Sequence, residues 1–88
     1  MDMMETIDHA LRERLHAQQI EIIDDSRKHA GHAGAGSGGH YTVTVISADF
    51  AGKSALERHR MVYAALGDLM QRGIHALALT TRAPGEAG

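Results

Sequence analysis

Residues 50–81 read FAGKSALERHRMVYAALGDLMQRGIHALALTT, and this stretch decides the fold. Its first part predicts an amphipathic helix, because at 3.6 residues per turn the larger apolar residues return to one face. The predicted apolar face consists of Ala55, Leu56, His59, Val62, Tyr63, Leu66, Leu69 and Met70. The opposite face consists of Glu57, Ala64, Asp68 and Gln71. A helix with such a face has to pack against a second layer of structure.

The sequence also marks where this helix begins and ends. Ser54 and Glu57 fit a capping box, in which the hydroxyl and the carboxylate each accept a hydrogen bond from an otherwise unpaired backbone N–H. Arg72 and Gly73 mark the end, because a cation suits a helix C-terminus and glycine can turn left-handed there. Gly67 predicts a break into two shorter helices.

After Gly73 the apolar period changes to two, which predicts a strand that opens on a single histidine, His75. The alternation separates His75, Leu77, Leu79 and Thr81 from Ile74, Ala76, Ala78 and Thr80. Because most of these residues are apolar or small, we expect an inner strand.

The N-terminal half predicts a helix and two more strands. Asp2 and Glu5 can cap a helix whose apolar stripe is Met4, Ile7, Leu11 and Leu15. It should end before Ile20, since residues 20–23 are rich in isoleucine and typical of a short strand. Alternation over residues 41–46 predicts the second strand.

Two segments are predicted to lack regular structure. Residues 26–39, mostly Gly, Ala, His and Ser, predict a long flexible loop, and the tail 83–88 is expected to fray.

The predicted order is therefore α-β-β-α-α-β in one α+β domain spanning residues 1–88. The first two strands can form an antiparallel hairpin, and a right-handed helical crossover makes the third strand parallel to the second. Helices would then cover one face of a three-stranded mixed sheet. The alternative, a helical bundle, leaves the strict alternation over residues 41–46 without an explanation.

Composition restricts the function. A chain of 88 residues builds one small core, so a deep catalytic cleft is not expected and we predict that the protein is not an enzyme. There is no cysteine, hence no thiolate for a metal, and the formal charge of −2 disfavours a protein devoted to nucleic acid. Without an apolar run of about 20 residues or a signal peptide, we expect a cytoplasmic protein that is a monomer when alone.

Two phosphate-binding motifs fit only formally. Residues 34–39 match the dinucleotide fingerprint, but they lead into a strand instead of opening a helix. Residues 52–54 resemble the end of a Walker A motif, but Ser47 stands where its first glycine is required. We interpret the first as a flexible loop and the second as the helix cap.

Five histidines need an interpretation. His59 lies on the predicted apolar face, where a hydrogen-bonded core histidine is expected. His40 begins a strand and can simply close the loop. His29 and His32 have no core to join, so a ligand or proton-switch role is plausible for them. From the residues alone, His75 is as easily structural as functional.

Several motifs together resemble the BolA family. They are Phe50-x-Gly52-x-Ser54-x-x-x-Arg58-His59-Arg60-x-Val62-Tyr63, Gly73-Ile74-His75-Ala76-Leu77-Ala78-Leu79, Asp24-Asp25-Ser26 and His40-Tyr41. The resemblance covers nearly the whole chain and implies a class II KH-like fold. It also implies a monothiol glutaredoxin as partner, with a shared [2Fe–2S] cluster ligated by His75 and by a loop residue that maps onto His29 or His32. The tail lacks the Trp that many members carry.

Such a cluster suits a chain without cysteine, because imidazoles can ligate one iron while thiolates of a glutaredoxin and of glutathione ligate the rest. The alternative is a DNA-binding regulator or stress morphogen, in which Lys53, Arg58, Arg60 and Arg72 meet phosphate weakly. From the residues alone, Arg58 and Arg60 can pair with the acidic first strand, contact a partner or touch phosphate, and structural pairing is the favoured interpretation.

Overall fold

The computed structural model describes residues 2–25 and 39–86. Within these ranges the predicted element order is confirmed, and the protein is an α+β fold. The elements are α1 (Met3–Leu15), β1 (Gln19–Asp24), β2 (Gly39–Ile46), α2 (Ala55–Leu66), α3 (Leu69–Arg72) and β3 (Ile74–Arg82), with a 3₁₀ turn at Ala48–Phe50 after β2.

The three strands form one mixed sheet in the order β1-β2-β3. β1 and β2 are antiparallel, whereas β2 and β3 are parallel, as predicted. The expectation that residues 74–81 form an inner strand is wrong, because β3 lies at an edge and β2 is central. Alternation of apolar residues shows which face of a strand is covered by helices. It does not show whether the strand has one or two neighbouring strands in the sheet.

The core lies between one face of this sheet and the helices. β2 contributes Tyr41, Val43 and Val45, α1 contributes Ile7, Leu11 and Leu15, and the rest of the layer includes Phe50, Val62, Leu66 and Leu69. Phe50, fully buried, closes the core beneath the turn that follows β2. Each such side chain contributes about 1.5–3 kcal/mol by leaving water. None of the helices in residues 2–25 and 39–86 packs on the other face of the sheet, and it is the face on which the candidate site lies.

The predicted caps are confirmed. Asp2 accepts a hydrogen bond from the Glu5 N–H at 2.9 Å. Ser54 and Glu57 form the complete capping box, with distances of 3.1 and 3.0 Å. Of the four unpaired N–H groups at the start of each helix, nearby side chains thus satisfy one at α1 and two at α2.

The break at Gly67 is confirmed, but the left-handed turn was assigned to the wrong glycine. Gly67 has a φ of 58°, whereas Gly73 has an extended φ of −163°. The positive φ therefore lies between α2 and α3, and the chain runs from α3 into β3 without a positive φ at Gly73.

The buried face of α2 is rotated from the predicted one. Leu56 and Tyr63 are 60% and 41% exposed, while Ala65 is buried. Val62, Ala65 and Leu66 belong to the core, and the Arg58 side chain of the same helix is only 12% exposed. His59 is half-buried, and no hydrogen bond to its ring is found among residues 2–25 and 39–86, so the core-histidine interpretation is wrong.

The prediction that the tail has nothing to bury is wrong at Ala83. Ala83 is 6% exposed, and its N–H donates to Glu86 at 2.8 Å. The predicted loop extended one residue too far, because Gly39 begins β2. The rest of that loop, residues 26–38, lies outside the described residues, as do residues 87 and 88 of the tail.

Candidate functional site

A β-bulge at the start of β3 places His75. Gly39 pairs with Ile74 and His40 pairs with Ala76, so His75 is an extra residue without a partner of its own in β2. Ile74 is 3% exposed and belongs to the core, and Leu77 also packs against it although the two are three residues apart. The predicted alternation is therefore wrong at Ile74. The bulge is what turns His75 out into solvent.

His40 lies beside His75. The neighbour of His40 in β2, Tyr41, is buried in the core, so His40 projects from the opposite face of the sheet, away from the described helices. The ring centroids of His40 and His75 are 5.0 Å apart, with an angle of 46° between the ring planes. His75 is exposed and His40 is half-buried. Two imidazoles are thus side by side at one end of the sheet.

Sequence analysis identified His75 but not the role of His40 as its neighbour. The signal was available in principle, because both residues lie at the start of strands that were predicted to be parallel. Parallel strands begin at the same edge of a sheet, so residues at their starts come together. The bulge then brings the rings into contact, and nothing in the local sequence predicts it.

Backbone and side-chain contacts hold the start of β2 in place. The Asp25 N–H donates to the His40 carbonyl at 2.7 Å, and the Thr42 hydroxyl donates to the Asp25 carboxylate. Gly39 packs under the Tyr41 ring so closely that a Cβ there would lie 2.5 Å from a ring atom. Position 39 must therefore be glycine if Tyr41 is to keep its place in the core.

A shallow cavity of about 300 Å³ opens on this face. Its lining is Asp25, His40, Tyr41, Thr42, Ala76, Leu77 and Ala78. The small alanines of β3 leave room next to the imidazole and the carboxylate.

The predicted loop ligands, His29 and His32, lie outside the described residues. Asp25 and Gly39 flank their segment, and both lie at the sheet end that carries His75. Among residues 2–25 and 39–86, no group of three His, Cys, Asp or Glu residues could hold a metal. This part of the chain supplies the two neighbouring imidazoles of His40 and His75.

The four predicted phosphate-binding cations differ in their surroundings. Arg58 makes a bidentate ion pair with Glu86 at 2.7 and 2.8 Å. The carboxylate that it pairs with therefore comes from the C-terminal segment and not from the first strand. The hydrogen bond to Arg58 lowers the pKa of Glu86 to about 2, and the same bond raises the pKa of Arg58. Arg72 pairs with Asp68 at 3.1 Å, whereas Lys53 and Arg60 are exposed.

Membrane insertion finds no support in the described helices. None of those within residues 2–25 and 39–86 is long and apolar enough to cross a bilayer.

Comparison with known proteins gives consistent matches. The family profile described as BolA-like protein matches residues 11–86. The "Uncharacterized protein in cobS 5'region" of Sinorhizobium sp. is 38% identical and covers 98% of this chain and 96% of its own. The "DNA-binding transcriptional regulator BolA" of Escherichia coli K12 is 37% identical and covers 92% of this chain and 75% of its own.

Solved structures agree with the sequence matches. The BolA domain of SufE1 from Arabidopsis thaliana superimposes with a TM-score of 0.81 at 35% identity, and the match covers 94% of this chain and 93% of that one. The family profile covers most of the chain, and the relatives share its whole fold. The protein therefore belongs to the BolA-like family.

Proposed function

We propose that this protein is a partner of a monothiol glutaredoxin, with which it shares a glutathione-ligated [2Fe–2S] cluster that serves iron–sulfur homeostasis or delivery. The observation that carries the proposal is the exposed imidazole of His75, held by a strand bulge at the open end of the sheet. An imidazole placed in this way is accessible to a second protein. It also lies next to the flanks of the segment that contains His29 and His32, the loop ligands that the family resemblance suggests.

The donor chemistry supports this proposal. Bound at this site, the cluster would supply one-electron redox chemistry and a metal link between the two proteins. The chain itself contributes neutral imidazole nitrogen and no thiolate, so the sulfur ligands have to come from the glutaredoxin cysteine and from glutathione. Because neutral imidazole is the ligand, the shared complex should weaken as the solution is acidified.

The proposed role is that of a binding partner and not of an enzyme. The cavity beside His40 is shallow, and of the polar groups that line it, Thr42 and Asp25 bind each other. Ligand and active sites are usually clefts that enclose most of a small molecule, so a shallow cavity suits contact with a partner protein better.

Anaerobic co-purification with a monothiol glutaredoxin in the presence of glutathione tests the proposal. The wild-type chain should form a complex whose visible spectrum differs from that of the glutaredoxin alone. His75→Ala should remove the mixed-ligand spectrum, because water does not match an imidazole ligand. Apo association can persist through other contacts.

His9→Ala is the matched control for that experiment. His9 is an exposed histidine on α1 that pairs with Glu13, and its replacement should leave the complex spectrum unchanged. A folded His75→Ala protein with an unchanged holo-complex spectrum would show that His75 is only a structural residue.

A DNA-binding regulator is the second candidate function. It is favoured by the similarity to the relative named as a DNA-binding transcriptional regulator and by the exposure of Lys53 and Arg60. It requires contact with phosphate and is independent of His75, so the two functions respond to different substitutions.

A further inference from the structure

A groove runs between α1 and β1, at the sheet edge opposite to β3. Its volume is about 460 Å³, and it is lined by residues of α1, among them Met4, Glu5 and Asp8, and by Ile20 and Ile22 of β1. Met4, Ile20 and Ile22 are half-buried and pack against the core from its margin. The groove therefore has an apolar floor, and the function proposed above does not use it.

β1 is an edge strand, and the strand register shows which of its backbone groups point outward. Within the described part of the chain, its only neighbouring strand is β2. The Asp25 N–H donates to a β2 carbonyl at 2.7 Å, so every second residue counted back from Asp25 faces β2 in the antiparallel ladder. The N–H and C=O groups of Glu21 and Ile23 thus face β2. Those of Ile20 and Ile22 point away from it and can pair with another strand.

Apolar side chains flank this edge on both faces of the sheet. Ile20 and Ile22 lie on the helix side, whereas Ile23 lies on the opposite face and is 49% exposed. Directly opposite side chains of neighbouring strands have Cβ atoms about 4.5–5.5 Å apart, so a strand added beside β1 would contact all three. The edge therefore offers both backbone and apolar contacts to an extended segment.

The charge around the groove is acidic. Glu5 and Glu21 are exposed, and within residues 2–25 and 39–86 neither carboxylate forms an ion pair. Arg12 donates to both carboxylate oxygens of Asp8 at 3.0 and 3.1 Å, so its charge is already paired. A second copy of this chain would bring the same carboxylates to the interface. A segment that carries lysine or arginine is attracted instead.

We infer that the β1 edge and the groove beside α1 bind an extended segment of a partner protein, in which apolar and basic residues alternate, and that this segment adds to the sheet as a strand. Its apolar side chains contact Met4, Ile20 and Ile22, and its basic side chains lie on the other face beside Glu21. The inference is independent of the glutaredoxin partnership, because His75 belongs to β3 at the opposite edge.

NMR titration of the full-length chain with the end-blocked heptapeptide Lys-Val-Lys-Val-Lys-Val-Lys tests this inference. Amide resonances of β1 and of the groove side of α1 should shift, whereas that of His75 should not. The Ile20 and Ile22 amides should exchange quickly with solvent without the peptide and slowly with it. The Glu21 and Ile23 amides should exchange slowly in both cases, because they face β2.

Two N-methylated forms of the peptide test whether it binds as a strand. Methylation of the three valine nitrogens removes the N–H groups along one edge of the extended peptide, and methylation of three lysine nitrogens removes those along the other. Only one form should lose binding, by at least about tenfold, since several hydrogen bonds are lost together. It should be the valine form if the added strand is antiparallel to β1, and the lysine form if it is parallel. Equal affinities of the two forms would overturn the inference, because their charges and side chains are the same.

A charge variant of the protein tests the acidic surface. Glu21→Gln should weaken binding of the peptide about two- to fivefold, since an exposed ion pair is lost. Asp68→Asn is the matched control, because it removes one negative charge from an exposed position outside the groove, and it should leave the affinity unchanged. Equal weakening by both variants would show attraction to net charge only and would contradict the inference.

Three results with the wild-type chain would also overturn it. The first is no binding of the unmodified peptide at about 1 mM. The second is a shift of the β1 amides with protein concentration in the absence of peptide, which would mean that a second copy occupies the edge. The third is slow exchange of the Ile20 and Ile22 amides in the absence of peptide, which would mean that the chain covers this edge itself. None of these results depends on whether a complex with glutaredoxin forms.

Discussion

At the residue scale, Arg58 links the end of the described chain to α2. Its guanidinium donates to both carboxylate oxygens of Glu86 and to the Lys53 carbonyl, and its side chain is only 12% exposed. Glu86 in turn accepts from the Ala83 N–H. One arginine therefore holds residues 83–86 against the helix, and it is less available to a phosphate than Lys53 or Arg60.

The Arg58–Glu86 ion pair predicts a pH dependence of stability. The pKa of Glu86 is about 2 in the fold against an ordinary value of 4.5. Because the folded-state pKa is the lower one, the pair stabilises the fold above that ordinary value, and this contribution is lost as the pH falls towards the folded-state pKa. Glu86→Gln should therefore lower the free energy of unfolding at neutral pH, and the difference from wild type should vanish in strong acid.

Urea unfolding of both proteins at about pH 6 and about pH 2.5 measures this difference. The exposed Glu21 offers a matched control, since Glu21→Gln removes the same charge without removing this ion pair. An equal difference between wild type and Glu86→Gln at both pH values would contradict the assignment.

Gly39 carries a second prediction at this scale. Gly39→Ala places a Cβ 2.5 Å from the Tyr41 ring, so one of the two has to move. Overpacking of this kind costs about 1–3 kcal/mol of unfolding free energy. The cost should shrink in a Tyr41→Leu background, and a double-mutant cycle measures that coupling. Additive effects of the two substitutions would mean that the ring and position 39 do not interact.

At the element scale, the bulge in β3 decides which side chains face the core. It lets Ile74 and Leu77 point to the same layer, and it leaves His75 on the outside. An uninterrupted strand would place Ile74 on the opposite side from Leu77, on the face without helices. The site therefore depends on one irregular position in an otherwise regular strand.

Ile74→Ala tests this bulge. Because Ile74 is 3% exposed, the substitution should leave a cavity and cost about 2–5 kcal/mol of unfolding free energy. Ile23→Ala is the matched control, since Ile23 is 49% exposed on β1 and its truncation should cost at most about 1 kcal/mol. Similar unfolding free energies for the two variants would show that β3 runs without the bulge.

At the scale of the whole molecule, charge limits what the protein can do with nucleic acid. The formal charge is −2, and two of the four predicted phosphate-binding cations, Arg58 and Arg72, are already paired with carboxylates. Lys53 and Arg60 remain exposed. Few counterions can be released by so few cations, so strong binding to the DNA backbone is not expected.

We predict weak DNA binding with a slope of about −2 for log affinity against log salt, since about two phosphates are neutralised. Fluorescence anisotropy with a duplex between about 50 and 200 mM salt measures this slope. Lys53→Gln/Arg60→Gln should abolish binding, whereas His75→Ala should not change it. A sequence preference that persists at the upper salt concentration would favour the regulator function instead.

The sequence by itself determined the order of elements, both N-terminal caps and the break at Gly67, because these features depend on residues within a few positions of each other. It also identified His75, which lies in a stretch of sequence that resembles a BolA-family motif. Only the tertiary structure decided the bulge, the rotation of the α2 face and the pairing of Arg58 with Glu86. His40 reaches His75 for the same reason: strand register joins residues that are far apart in the chain, and no local pattern records which of them will meet.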